Sequence, residues 1–372
     1  MTSNIESREL GATGANAPVY TLPARFYTDP TIYEREKEEI FYKSWQAICH
    51  VSDVPRSGDF CVGRVADQGV FVIRGKDNAL RAFYNVCAHR AHELLRGRGS
   101  SNAIVCPYHA WAYNLDGSLR SARHSTEVPC FDVSTVGLQS VKLEVFSSLV
   151  FVNLNSGASP LRAQTGDMED HLNRFIPKLG QLVHAHRITY EVKANWKTIV
   201  DNYLECYHCT VAHPAFKDTF DMSSYRHTNF KIHTIQGKVE SSAQESGDVP
   251  SYTFQSSWWL WPNLFIPRFP DRSALMLCLN IPRSANETTQ VWDFYFDSAE
   301  PTPAQRDGIA WIDKVAGKED LDLVESVQRG LRSRGYDRGH LMIDPELCAG
   351  WSEHGLWHFQ SMIRERLGGA DG

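Results

Sequence analysis

Two short metal-binding knuckles constrain this chain more than any other feature. The first is Cys87-Ala88-His89-Arg90 and the second is Cys106-Pro107-Tyr108-His109. Each offers one thiolate and one imidazole, and sixteen residues lie between His89 and Cys106. A Cys2His2 zinc site usually puts both cysteines in one knuckle and both histidines on one helix. Here each knuckle is mixed, and both lie between strand-like segments. Two cysteines can hold one iron and two histidines the other, so the pattern favours an asymmetric [2Fe–2S] centre over zinc. Imidazoles in place of two thiolates leave such a cluster less negative and easier to reduce. Gly97 and Gly99, between the knuckles, would let two loops close over it.

The chain has nine cysteines, an odd number with irregular spacing. That argues for reduced thiols rather than a disulfide framework. Cys206 and Cys209 form a C-x2-C without a second pair and are expected as buried thiols. At 372 residues the chain is long enough for two domains. The net charge of −6 has its Lys and Arg scattered, with no basic stripe for nucleic acid. No apolar run approaches the ~18 residues of a membrane span. The polar stretch Met1 to Asn16 lacks the apolar core of a secretory signal. The expectation is a partly ordered arm on a cytoplasmic protein.

Periodicity predicts an amphipathic helix over 31–45, with Ile32, Ile40 and Phe41 inward. Short strands follow at Phe60–Val65, Val70–Arg74 and Leu80–Asn85, with Lys76 to Asn78 as a hairpin tip. An Asp116-Gly117 turn interrupts Trp111–Leu119, and Val141–Phe146 and Leu149–Asn155 close this all-β region. A looser stretch, Ser156–Asp170, links to the rest. Helices are predicted at Trp196–Tyr207, Ala304–Val315, Asp320–Arg334 and Glu353–Arg366, with aromatic-rich strands over 227–297. The boundaries drawn are 1–44 for an N-terminal arm and helix belonging to the catalytic domain, 45–158 for the cluster domain and 159–372 for the catalytic domain. The fold class is α+β with antiparallel sheets.

A second motif runs Asp201-Asn202-Tyr203-Leu204-Glu205-Cys206-Tyr207-His208, with His213-Pro214 after it. His208 and His213 are five apart, which on an ideal helix splays them by about 140°. They converge only if the helix ends or bulges between them, and Pro214 supports an ending there. Two histidines and one carboxylate form the facial triad of non-haem iron(II). The carboxylate candidates are Asp320 and Asp322. Helical phase puts Asp320 with Leu323, Val324, Val327 and Leu331, and Asp322 with Glu325, Ser326 and Arg329. A ligand must point inward, so Asp320 is chosen. His92 reads as a loop residue, and His354 and His358 as surface or packing residues.

Together these residues resemble the Rieske non-haem iron oxygenases, specifically their large subunits. The anchors are C-A-H-R, C-P-Y-H, N-W-K-T-I-V-D-N-Y-L-E-C-Y-H-C and E-D-L-D-L-V-E-S-V-Q-R-G-L, over about residues 25–366. Ala91 stands where that family usually has Gly, which implies a tighter loop. The resemblance implies a Rieske [2Fe–2S] domain, a helix-grip catalytic domain with a mononuclear Fe(II), and a homotrimer in which one subunit's cluster serves the next subunit's iron. It implies that Glu205 bridges the two centres. Glutamate at that position resembles the branch acting on quaternary ammonium compounds, above all carnitine monooxygenase, with choline, glycine betaine and stachydrine oxygenases as relatives. The implied reaction uses O2 and hydroxylates a carbon next to the cationic nitrogen. The carbinol then collapses to an amine and an aldehyde. Trp259 and Trp261, on one strand face, and Tyr203 and Tyr207 are candidate π faces for the cation. No dinucleotide-binding glycine signature follows a strand. Electrons would therefore come from a separate NAD(P)H-dependent flavin and ferredoxin reductase. The rival readings are an aromatic-ring hydroxylating dioxygenase and a Rieske electron carrier without a second iron.

Overall fold

In the computed structural model, residues 18–213, 222–239, 256–269, 271 and 273–368 are described. The Met1 to Asn16 arm and Pro214 lie outside them. The chain opens with helices α1 (Arg25–Thr28) and α2 (Pro30–Glu36). Asp29 caps α2 by accepting from the Thr31 N–H, and Pro30 fits its first turn. The last turns of the expected helix widen into a π segment, Lys37–Phe41, and Ile40 and Phe41 are fully buried.

The β domain follows as β1 (Gln46–His50), β2 (Asp59–Val65), β3 (Gln68–Arg74), β4 (Leu80–Tyr84), β5 (Arg98–Ser100), β6 (Ile104–Val105), β7 (Ala112–Tyr113), β8 (Leu119–Ser121), β9 (Ser140–Phe146) and β10 (Leu149–Asn153). Seven of these strands form one sheet in the order β1-β10-β9-β4-β3-β2-β5, and β6, β7 and β8 form a small separate sheet. The knuckles occupy the β4–β5 and β6–β7 connections. A compact apolar cluster including Phe71, Phe83, Tyr113 and Leu115 lies beneath them.

Helix α3 (Met168–Phe175) leads into a seven-stranded antiparallel sheet. Its strands are β11 (Val183–Val192), β12 (Tyr225–Asn229), β13 (His233–Lys238), β14 (Ser257–Leu260), β15 (Leu264–Ile266), β16 (Ala274–Ser284) and β17 (Glu287–Phe296). Their order, β11-β17-β16-β15-β14-β13-β12, is that of a strongly coiled meander. The helices are α4 (Trp196–Tyr203), α5 (Cys209–Ala212), α6 (Pro303–Ile312), α7 (Asp320–Gly330) and α8 (His354–Arg366). The helix expected over Trp196–Tyr207 ends at Tyr203, because the backbone unwinds through Leu204 before α5 begins. The sheet face next to α4 and the helices enclose the site.

Buried polar groups fasten α4 in place. Glu36 and Lys197, both fully buried, pair at 2.5 Å, and Glu36 also accepts from the Trp196 indole at 2.8 Å. Lys197 donates to Asn195 as well, which caps α4. Two buried charges are tolerated only because each is paired and further hydrogen-bonded. Asp201 accepts from the Tyr27 hydroxyl at 2.6 Å and from Gln360 at 3.1 Å, and burial pushes its pKa up to about 7. The two domains meet through a second network. Asp53 of the β domain pairs with Arg98 at 3.1 Å and accepts from the Tyr295 hydroxyl at 2.9 Å. Arg187 grips Asp293 with two bonds, and His184 adds a third. Burial opposes the charge on Asp293, but these cations hold its carboxyl down at about 2.

Candidate functional site

The two knuckles share one backbone design. The Cys87 N–H donates to the His92 carbonyl and the Cys106 N–H to the Trp111 carbonyl, at 2.9 and 2.8 Å. Each cysteine carbonyl accepts from the residue four places on, Ala91 at 3.1 Å and Ala110 at 3.0 Å. Both alanines sit at positive φ, 56° and 60°. That region favours glycine, so the loop expected to tighten at Ala91 does so with a left-handed alanine.

This geometry brings the four expected cluster residues together. Cys87 and Cys106 are buried free thiols. The His89 and His109 rings lie 4.6 Å apart, and His89 stacks on Trp111 at 4.7 Å. Among the described residues His109 Nδ1 is buried without a hydrogen-bond partner, as a nitrogen reserved for a metal would be. Burial, and then the neighbouring His89 and Arg90, lower the His109 pKa and favour the neutral ring a metal needs. The Tyr113 hydroxyl lies 3.1 Å from Cys87 Sγ and accepts from the Ala88 N–H. A hydrogen bond from it to a cluster sulfur raises the cluster's potential.

The second site is assembled from two distant segments. His208 caps the N-terminus of α5, and His213 has already left the helix at φ −113°, ψ 86°. One short helical turn therefore separates the rings, and their centroids lie 5.3 Å apart. The helix end needed for convergence falls after Ala212, between the two histidines. From the start of α7, Asp320 Oδ1 reaches 3.1 Å from His213 Nε2 and 3.7 Å from His208 Nε2. The ligand atoms of these three residues all lie within 4.8 Å of one another. Asp320 Oδ1 is buried and, among the described residues, has no hydrogen-bond donor. Three converging lone pairs around an unsatisfied oxygen fit a divalent iron.

Asp322 points to solvent, as helical phase requires. The inward stripe of α7 differs in one place from expectation: Val327 is 51% exposed, and Gln328 is buried instead. Gln328 faces inward because its amide is used, accepting from the Asn195 N–H and donating to the Tyr27 carbonyl.

Glu205 lies between the histidine pair and the surface. Its Oε2 accepts from the backbone N–H groups of Tyr207 and His208, and its Oε1 contacts His208 Nδ1. A residue missed from sequence, Glu319, sits 2.8 Å from His213 Nδ1. Without a metal, burial works against the imidazolium of His213 but Asp320 and Glu319 outweigh it and push the pKa up to about 9; a metal at Nε2 takes the place of that proton and leaves the ring neutral. Cys206 and Cys209, expected as thiols, are joined in a disulfide with Cα atoms 4.9 Å apart. The turn closed by Cys209 N–H on the Cys206 carbonyl brings them within reach.

A cavity of about 410 Å³ opens beside the triad. Tyr203, Tyr225, Phe265, Trp292, Trp311 and Arg268 are among the residues that line it. Tyr203 stacks on Phe265 at 3.8 Å. Of the aromatics proposed from sequence only Tyr203 lines it. Trp259 and Trp261 instead pack against each other and Phe359; Trp259 shares the sheet face of Phe265, but neither lines the cavity. Tyr207 is 51% exposed, outside the cavity. His354 is buried, with Nδ1 on Ser352 Oγ and Nε2 on the His227 carbonyl, which makes it a packing residue.

The Rieske [2Fe-2S] domain family model matches residues 44–132, and the model for the ring hydroxylating alpha subunit (catalytic domain) matches residues 179–369. The chain belongs to the Rieske non-haem iron oxygenases and is an oxidoreductase with a Rieske cluster and a mononuclear iron. Among its relatives, the carnitine monooxygenase oxygenase subunit of Acinetobacter pittii (strain PHEA-2) is 41% identical over 351 residues, covering 93% of this chain and 94% of the relative. The chloroplastic choline monooxygenase of Arabidopsis thaliana is 30% identical over 373 residues, covering 93% and 83%. The crystal structure of the quaternary ammonium Rieske monooxygenase CntA in complex with L-carnitine superposes with a TM-score of 0.85 at 40% identity, covering 94% of this chain and 96% of that one. Naphthalene 1,2-dioxygenase with indole bound shares the fold alone, at 18% identity and a TM-score of 0.79. Among the described residues, no helix is long and apolar enough to cross a membrane.

Proposed function

We propose that this chain is the oxygenase component of a monooxygenase that hydroxylates a carbon next to the nitrogen of a carnitine-like quaternary ammonium substrate. In this reading Cys87, His89, Cys106 and His109 hold the cluster, and His208, His213 and Asp320 hold the iron. When bound, the cluster stores an electron and the iron activates oxygen for C–H hydroxylation. The carbinol formed next to the nitrogen then collapses, breaking the C–N bond.

The observation that carries the substrate class is the cavity wall. Several π faces beside the triad suit a trimethylammonium group, with cation–π attraction of about 0.5–2 kcal/mol per contact. Arg268 gives the same cavity a cationic group that can meet a carboxylate. A zwitterion uses both features. Choline uses only the first, and a neutral arene gains little from Arg268. The related proteins that act on carnitine and on choline bracket these two possibilities.

Glu205 is the proposed bridge between centres. Its carboxylate holds His208 and keeps lone-pair capacity for a second imidazole. Two exposed apolar faces support delivery of that imidazole by a neighbouring copy. Tyr108 and Val128 flank the cluster site, at 52% and 54% exposed, and Val211 beside Glu205 is 84% exposed. Unlike faces that pair head to tail close into rings, here a homotrimer. A separate NAD(P)H-dependent reductase supplies the electrons.

Purified enzyme with a reductase is tested against carnitine, γ-butyrobetaine, glycine betaine, choline and benzoate-type rings. Coupled oxygen consumption is expected with the betaines and little with the rings. Efficient ring hydroxylation without turnover of any methylated amine would overturn the substrate assignment and favour the dioxygenase reading.

A further inference from the structure

We propose that Glu319 is a positioning residue that fixes the His213 imidazole for metal binding, which rests on the reading of His208, His213 and Asp320 as the iron ligands. Its Oε2 lies 2.8 Å from His213 Nδ1. Asp320 Oδ1 lies 3.1 Å from Nε2 of the same ring. A neutral imidazole carries one N–H and one lone pair. With a carboxylate at Nδ1, the N–H belongs there and the lone pair is left at Nε2, the nitrogen that faces Asp320. Glu319 thereby selects the tautomer and ring orientation the metal requires, and its charge strengthens the donor.

The same arrangement holds His208. Glu205 contacts Nδ1, and Nε2 is the nitrogen nearest Asp320. One glutamate is local to its histidine, three residues away, and the other comes from a segment 106 residues away. Both imidazoles are thus given the same tautomer by independent parts of the chain. Consecutive side chains on an α-helix diverge by about 100°. Glu319 and Asp320 nevertheless take hold of one ring, because the helix is π-wound from Asp313 to Glu319 and returns to α at Asp320. The longer glutamate reaches Nδ1, while the shorter aspartate stops at the metal side.

The test uses the holoenzyme with Glu319→Ala and Glu319→Gln, and Asp320→Ala in parallel. Iron retention is measured by chelator competition, and the ligand field is read from the d–d bands of the cobalt-substituted mononuclear site. Glu319→Ala is expected to raise the iron dissociation constant about 10–100-fold and to shift the cobalt bands, with the cluster absorbance unchanged. Glu319→Gln keeps an acceptor for the Nδ1–H and is expected to recover part of the affinity. Wild-type iron affinity and unshifted bands in Glu319→Ala, alongside iron loss in Asp320→Ala, would overturn the proposal. Full iron retention in Asp320→Ala would instead overturn the assignment of the site itself.

Discussion

The two metal-binding regions are built on opposite plans. At the cluster site every candidate ligand sits on one of two near-identical knuckles, each closed by its own backbone hydrogen bonds. At the triad, the ligands come from both ends of a four-residue helix and from the first residue of α7. The first site needs only a local backbone shape. The second needs the packing of α4, α5 and α7 to be right together. A local site should survive damage elsewhere, and an assembled one should not.

The largest expected effect separates the two sites outright. Asp320→Ala should lose the mononuclear iron and abolish turnover, while the reduced cluster keeps the rhombic EPR signal of mixed His and Cys ligation. Asp322→Ala, on the solvent side, should keep all its iron. Metal analysis showing the reverse would break the phase argument that chose Asp320.

Next in size is the link between the sites. Glu205→Gln keeps the shape of the side chain and removes its charge. Both metals should stay bound, and turnover should fall at least about 100-fold, in the range of losing a group that acts in the rate-limiting exchange. Stopped-flow reduction of the cluster should remain fast, with slow reoxidation by oxygen and substrate. Reoxidation at the wild-type rate would rule out a bridging role.

Acid should distinguish the domains by stability. Burial lowers the pKa of His227 and His233 to about 3 and of His358 to about 4, and all three belong to the catalytic domain. Their folded values lie below the unfolded value of about 6.5. Their contribution is therefore complete above pH 6.5 and is lost as pH falls toward 4 and 3. Denaturation monitored by tryptophan fluorescence should show a falling midpoint from pH 7 to pH 5. The catalytic domain should unfold before the cluster colour is lost. A flat profile over that range would contradict the burial of these imidazoles.

The smallest effect concerns the knuckles alone. Ala91 holds φ 56°, and Ala91→Gly should stabilise its loop by about 1 kcal/mol or less. Slower cluster loss on mild heating, with unchanged iron at the triad, is the expected readout.

How much of this was legible in the sequence follows the same division. The two knuckles and their matching backbone design are local features that spacing and residue type mark in the sequence, and their role as cluster ligands is proposed above. His208 and His213 could be paired, but the location of the helix breaks could not be read. Asp320 was distinguished from Asp322 because α7 is a regular helix with Val324 and Leu331 inward. Val327 failed as a core residue because Gln328 is buried by its hydrogen bonds, which hydrophobic pattern does not record. The Trp-rich strand misled for another reason. Trp259 does share the cavity-side face with Ser257 and Phe265, but it packs on Phe359, and nothing local marks where along the strand the cavity ends. Phe265 and Trp292 come to the cavity through the pairing of distant strands, and Arg268 from just after β15, which no local pattern marks. Cys206 and Cys209 were read as thiols because the chain's cysteine count as a whole argues for reduction, whereas their pairing depends on one tight turn.

The π-wound segment between α6 and α7 makes the grip on His213 sensitive to counting. Residues 313–319 carry more backbone per turn than an α-helix would, and that surplus sets the angle between Glu319 and Asp320. Gly317 belongs to this arrangement, since a Cβ there would collide with the Tyr190 hydroxyl, which donates to Asp313. Deleting one residue and letting the segment relax to α-helical winding would keep the direction of Asp320 nearly unchanged, because α winding turns more per residue than π winding and offsets the loss. The deleted chain would keep Asp320 toward the histidines and lose the surplus winding that lets Glu319 and Asp320 reach one ring. Length variation in this segment therefore bears on the pairing of Glu319 with His213 before it bears on the iron ligand itself, and an alignment that scores only residue identity would not detect it.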